Sequence, residues 1–117
     1  MNDKLPSTNL QALFLLLIGR RRRFRVVGQS MLPLLEQGEE ILIDPYAYKK
    51  SLPQINDVVI TSHPRDTQLT IVKRVTRVAG EDNYFLTGDN PTASTDSRQW
   101  GMVNRENILG KVTNRFI

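Results

Sequence analysis

The chain has 117 residues, no cysteine and a single histidine, His63, with a formal net charge of +4. These counts exclude disulfides, thiol nucleophiles and Cys- or His-rich metal sites, and the lack of cysteine fits a reducing compartment. An apolar fraction of 39 % and a charged fraction of 24 % are ordinary for a folded protein, and the length suits one domain with a core of its own.

Leu10 to Ile18 (LQALFLLLI) is the first structured element expected. Crossing a bilayer takes roughly 20 apolar residues, so this run is too short to span. A secretory signal carries its positive charge before the apolar run and small residues after it. Here the arginines Arg20, Arg21, Arg22, Arg23 and Arg25 follow the run instead. The pattern predicts a short helix with Ser7 or Thr8 near its N-cap. Such a helix either packs on the body or lies in a membrane interface with the arginines toward phosphate, and in the second case residues 10–25 make a peripheral membrane contact. Residues 1–25 are therefore set apart from a single domain over 26–117.

Beyond Arg25 the pattern becomes strand-like. Phe24–Val27, Glu40–Asp44, Asp57–Thr61, Leu69–Ala79, Tyr84–Thr87 and Ile108–Ile117 are rich in β-branched and aromatic residues, and Gly, Pro, Asn and Asp clusters separate them. This spacing predicts a mainly β fold, a coiled sheet or partial barrel preceded by the short N-terminal helix.

Two residues on these elements carry chemistry. Side chains alternate faces along a strand, so Ile71, Lys73 and Val75 share one face while Arg74 points to the other, toward water. A lysine between apolar neighbours loses hydration, which lowers its pKa and makes it a usable general base. Ser30 lies in Gly28-Gln29-Ser30-Met31-Leu32-Pro33, where Gly28 permits close backbone approach and Pro33 turns the chain just after the serine. A nucleophilic serine needs a base, and His63, in a polar His-Pro-Arg-Asp turn, is a turn residue rather than that base. A third stretch, Gly88 to Gly101, reads as a long surface loop. If extended, it places Ser94, Asp96 and Arg98 on one face, so that an Asp–Arg pair braces the loop and Ser94 holds the amine of Lys73.

Together, Gly28-Gln-Ser-Met-Leu-Pro33, Ile71-Val-Lys-Arg-Val75 and Gly88-Asp-Asn…Ser94-Thr-Asp-Ser-Arg98…Gly101 resemble the three signature boxes of the type I signal peptidase family of Ser–Lys proteases, in the family's order. The resemblance implies a signal-peptidase-like fold and peptide hydrolysis without metal or other cofactor. It implies Ser30 as nucleophile and Lys73 as general base, with Ser94 orienting the lysine and Asp96 and Arg98 as the bracing pair. Gly28, Gln29, Met31 and Pro33 would shape the oxyanion and substrate side of the serine loop. Many signal peptidases carry a serine where this chain has Gly28, so backbone N–H groups, that of Ser30 included, must serve the oxyanion. Within the family, the short length, the His63-Pro64 turn and the Asn-Pro-Thr-Ala-Ser-Thr-Asp-Ser-Arg wording are most similar to the nickel-type superoxide dismutase maturation proteases. The partner implied is a leader-bearing superoxide dismutase precursor, cut in the cytoplasm with or without membrane association. Two alternatives remain at this stage: a minimal type I signal peptidase acting on exported preproteins, and a non-enzymatic basic β module binding nucleic acid through Arg20 to Arg25. Nucleic acid is not the expected partner, because that last reading leaves the three boxes unexplained.

Overall fold

The β-branched runs become strands of one open antiparallel sheet in a computed structural model that describes residues 5–116. In chain order the elements are α1 (Leu10–Leu17), β1 (Arg22–Arg25), β2 (Glu40–Asp44), β3 (Val58–His63), β4 (Asp66–Ala79), β5 (Asn83–Thr87), α2 (Ser97–Trp100), β6 (Val103–Asn104) and β7 (Ile108–Arg115). Among the described residues the sheet runs β1-β2-β7-β3-β4-β5-β6, so β1 and β6 are its edges. Register shifts interrupt β2 at Leu42/Ile43, β3 at Ile60/Thr61 and Ser62/His63, and β4 between Val75 and Arg77. Such bulges bend strands and increase their twist, and they carry this sheet around two cores.

Alternation explains those cores. Val58 packs with Val26, Met31, Leu35, Ile41, Val72 and Val112, while its neighbour Val59 packs with Val75, Tyr84, Leu86 and Val103. Successive strand residues face opposite ways, so β3 and β4 are covered on both faces at the centre of the molecule. Lys73 and Val75 on one face of β4 and Val72 on the other are therefore buried.

Several boundaries move for identifiable reasons. The first strand lies at Arg22–Arg25 rather than Phe24–Val27, because its arginines find acidic partners across the ladder: Arg23 pairs with Glu40 at 2.5 Å and Arg25 with the same carboxylate at 3.6 Å. Strand β4 starts at Asp66, earlier than Leu69, because Asp66 pairs with His63 across a tight hairpin. The last strand ends at Arg115, and its expected terminus, Ile117, lies outside the described residues, as do residues 1–4 of the N-terminal segment. Helix α1 is capped by Asn9, whose side chain accepts from the Ala12 N–H at 2.8 Å, and not by Ser7 or Thr8. Those two residues are engaged elsewhere: the Thr8 hydroxyl donates to the Arg115 carbonyl and Ser7 bridges Arg115, tying the helix to β7. No helix among the described residues is long and apolar enough to cross a membrane.

The arginine block is not an open cationic stripe. Besides Arg23 and Arg25, Arg21 pairs with Asp44 at 3.4 Å, and the Arg20 and Arg23 guanidinium groups lie over Tyr46 and Phe116.

Candidate active site

Ser30 opens a turn that hangs from β1 and is nailed into the first core. Gly28 has φ of +82°, a left-handed conformation that side chains rarely tolerate. A Cβ there would meet nothing within 4 Å, so the position requires glycine for its backbone angle and not for the close approach expected from sequence. After Ser30, the Leu35 N–H donates to the Met31 carbonyl, and the side chains of Met31 and Leu35 are fully buried. The Leu32–Pro33 peptide is cis. Gln29 and Pro33 remain exposed, Gly28 and Ser30 half-buried.

Lys73 sits mid-strand in β4, directly across from Val59 of β3, and is only 4 % exposed. Its Nζ donates to Ser94 Oγ at 2.9 Å. Burial pushes its pKa below the ordinary lysine value; the Asp96 charge opposes the shift and the Arg98 charge adds to it. Burial is the largest of these influences, and the Arg98 guanidinium offsets part of the field of the Asp96 carboxylate one hydroxyl away.

The Gly88–Gly101 segment is not extended throughout. Pro91–Ala93 form a 3₁₀ turn, Ser97–Trp100 form helix α2, and Asp96 is the cap of that helix. Ser94, Asp96 and Arg98 converge through this cap instead of by alternation along a strand. Asp96 is fully buried, and both its oxygens are filled. Oδ2 accepts from the Ser94 hydroxyl at 2.5 Å, Gly88 N–H at 2.8 Å and Arg98 Nη2 at 2.6 Å. Oδ1 accepts from Arg98 N–H at 3.0 Å and Nε at 2.9 Å. Burial alone would raise the Asp96 pKa, but the bonds from Arg98, Ser94 and Gly88 outweigh it and hold the carboxyl well below the usual range. The order Lys73, Ser94, Asp96, Arg98 is thus one continuous chain of hydrogen bonds ending in a fixed negative–positive pair.

The same loop holds the serine turn. Asn90 donates its backbone N–H to the Ser30 carbonyl at 2.8 Å and its side-chain Nδ2 to the Gln29 carbonyl at 3.0 Å. Asp89, beside it, is gripped at both oxygens by Arg74 at 2.9 Å, which corrects the expectation that Arg74 points to open water. Sequence reasoning missed these three residues. Arg74 is next to Lys73 and Asp89-Asn90 follow Gly88, so the available signal was the charge complementarity of two boxes already found. Gly88 marks where the halves meet: a Cβ there would lie 2.6 Å from the Ser30 carbonyl oxygen and 2.7 Å from Ser94 Cβ, and it would also overlap Ser94 Oγ. Gly88→Ala should therefore cost about 1–3 kcal/mol. It should also slow turnover, because Ser94 or the Ser30 turn must move. Thermal unfolding beside a peptide-cleavage assay checks this, and native values in both would contradict the crowding.

His63 stands apart from this chain of bonds. Its ring packs edge-on to Trp100 at 4.7 Å, and its Nδ1 accepts from the Arg65 N–H.

Comparison with known proteins gives the family. The family model described as "Signal peptidase, peptidase S26" matches residues 8–82 and 76–117. The chain is 25 % identical over 134 aligned residues to "Probable signal peptidase I-1" of Synechocystis sp., covering 78 % of this chain and 68 % of that one. It is 29 % identical to "Mitochondrial ATP-independent inner membrane protease subunit 1a" of Arabidopsis thaliana, over 93 % of this chain and 81 % of the relative. It is 31 % identical to "Mitochondrial inner membrane protease subunit 1" of Schizosaccharomyces pombe, over 75 % and 68 %. The chain thus spans about two thirds of the length of the Synechocystis relative. With a family model matched across both halves of the sheet, the chain belongs to the signal peptidase family, peptidase S26, a family of serine endopeptidases.

Proposed function

We propose that this protein removes a short N-terminal leader from a precursor protein through a Ser30–Lys73 dyad, and that the precursor is a nickel-type superoxide dismutase. The observation that carries the dyad is that one loop, Gly88 to Arg98, holds both partners, gripping the Ser30 turn through Asn90 and the buried Lys73 amine through Ser94. In the reaction neutral Lys73 takes the Ser30 proton, and the alkoxide attacks the scissile carbonyl. The lysine then gives that proton to the departing amine, leaving an acyl-enzyme that water hydrolyses. Lys73 donates to Ser94 in this structure, and substrate binding brings Ser30 to the amine, as catalytic hydrogen bonds commonly tighten in the substrate complex. With glycine at position 28, backbone N–H groups, that of Ser30 among them, stabilise the oxyanion; a lost side-chain donor costs about 10²–10³ in rate where nothing replaces it. The substrate lies extended beside Val26–Gly28, its main chain supplying hydrogen bonds. Residues 26–117 carry this chemistry, with residues 10–25 available for peripheral membrane contact.

The choice of precursor rests on the resemblance of the Asn90–Arg98 wording to the maturation proteases, and the cytoplasm as its place rests on that resemblance and on the lack of cysteine. A second reading, a minimal signal peptidase for exported preproteins, is favoured by the names of the relatives. Incubating the purified protein with a leader-bearing nickel superoxide dismutase precursor and, separately, with an exported preprotein discriminates them. One new N-terminus on the dismutase, read by mass spectrometry, is expected. Cleavage of the preprotein alone would move the substrate to the second reading.

A further inference from the structure

One residue holds both peptide planes that flank Ser30. Asn90 Nδ2 donates to the Gln29 carbonyl at 3.0 Å, and the Asn90 backbone N–H donates to the Ser30 carbonyl at 2.8 Å. The Gln29 carbonyl also accepts from the Leu32 N–H at 3.3 Å. With a carbonyl pinned on either side of its Cα, Ser30 cannot turn about φ or ψ without breaking one of these bonds.

Asn90 is itself engaged at every polar atom. Its Oδ1 accepts from the Thr92 hydroxyl at 3.0 Å, which leaves Nδ2 as the edge that meets Gln29, and its carbonyl accepts from the Ala93 N–H at 3.1 Å. Arg74 grips Asp89, the residue just before it. The carboxamide is therefore a fixed strut between the loop and the nucleophile's turn.

The direction of the Ser30 N–H follows from this grip. The Gln29–Ser30 peptide is trans, so its C=O and N–H point to opposite edges of one plane. Drawing the carbonyl toward Asn90 turns the N–H away from it, and among the described residues that N–H has no hydrogen-bond partner. A backbone donor left unpaired beside a nucleophile is one available to a ligand. Because Gly28 offers no hydroxyl, the aim of this N–H matters more to the developing negative charge than it would beside a serine.

From this geometry we infer that Asn90 is the positioning residue of the oxyanion hole: its carboxamide sets the Gln29–Ser30 peptide so that the Ser30 N–H meets the oxygen of the scissile carbonyl. The inference rests on the Ser30–Lys73 reading and adds a part to it, since Asn90 acts on the oxyanion and not on the proton.

Cleavage of junction peptides from the dismutase precursor and from an exported preprotein by the full chain, with Ser30→Ala alongside, tests it. Asn90→Ala keeps the backbone bond to Ser30 and loses the carboxamide, and it should lower kcat about 10²-fold with KM within about threefold of native. The limb of the pH profile set by Lys73 should not move, because no charge changes. Thr92→Val frees the carboxamide to swing while leaving Asn90 in place, and it should lower kcat in the same direction by less. Thr92 is exposed, so this variant keeps the fold even where Asn90→Ala does not. A peptide aldehyde ending at the cleaved junction supplies a readout that a merely structural role would not move. Ser30 Oγ bonds to the aldehyde carbon, the C=O π pair becomes the oxyanion, and the serine proton passes to Lys73. Aldehyde affinity should weaken across the variants by the factor by which kcat/KM falls, while the matching peptide alcohol, which has no carbonyl, binds as to native. Native kcat in both Asn90→Ala and Thr92→Val, with Ser30→Ala inert, would overturn the inference and leave the dyad standing. So would a loss confined to KM, or equal losses of aldehyde and alcohol affinity. Cleavage that survives Ser30→Ala, or none by the native chain, would remove the dyad reading and the inference with it.

Discussion

Ser30→Ala will lower kcat/KM for leader cleavage by about 10⁴-fold or more, and Lys73→Ala will do the same, with the double variant little worse than either. The non-additivity is the informative part. If Lys73 acts only by taking the proton of Ser30, removing the base disables the nucleophile, and a second deletion has nothing left to remove. Lys73→Arg should fail equally, because a guanidinium stays protonated at every working pH and cannot be a base. Steady-state kinetics on a peptide spanning the leader junction measures all four proteins. Activity in Lys73→Ala within about tenfold of native would show that Ser30 has another base or is not the nucleophile. The native pH profile adds a signed expectation. The base must be neutral, so kcat/KM rises with pH on a single limb governed by Lys73. Burial lowers the pKa of that amine, so the limb lies below the range where an exposed lysine titrates. A limb at the ordinary lysine pH would mean the buried amine is not the titrating group.

Much of the frame was legible in the sequence because it depends on local pattern. Glu40–Asp44 is a strand as read, and Lys73 is as enclosed as its flanking Ile71 and Val75 implied, since β-branched neighbours on one strand face mark a covered surface. What alternation could not reveal is that the other face of β4 is covered as well. Arg74 is therefore held by Asp89 and left only partly exposed, a consequence of strand order that one strand's pattern does not contain. The Gly88–Gly101 stretch was misjudged for a different reason. Its residues look like loop, yet Asp96 with Gln99 three positions on forms a capping box: the Gln99 side chain accepts from the Asp96 N–H, and the Asp96 carboxylate caps the first turn of α2. That signature was present in the sequence and outvoted by composition. Gly28 and Gly88 show the same limit, because glycine can answer a positive φ or a close approach, and only the surroundings say which.

Asp96→Asn is expected to destabilise the protein by about 1–3 kcal/mol although it changes one atom, because it leaves buried hydrogen-bond donors without an acceptor, while its ion-pair partner Arg98 keeps partial access to solvent. Each carboxylate oxygen receives at least two donors, Oδ2 from Ser94, Gly88 and Arg98 and Oδ1 from the Arg98 backbone and Nε. An amide has one acceptor oxygen, so one of those sets must face an NH₂ group that can only donate, in a place no water reaches. Arg98 also loses its counter-charge. The Ser94 hydroxyl, deprived of its acceptor, turns and no longer presents its oxygen to Lys73 in the same direction. A misplacement on the order of 1 Å can cost about 10²-fold in rate, so kcat should fall by that order even where the variant remains folded. The pH dependence separates the charge from the packing. The Asp96 carboxyl is held below the unfolded value, so the unfolded state binds more protons over that window and native stability falls as pH drops through and below the ordinary carboxylate range. Asp96→Asn has no such proton to take up, so its stability should be low but flatter in acid. Chemical denaturation of both proteins from neutral to acid pH reads this directly, and parallel curves would mean that Asp96 contributes through shape alone.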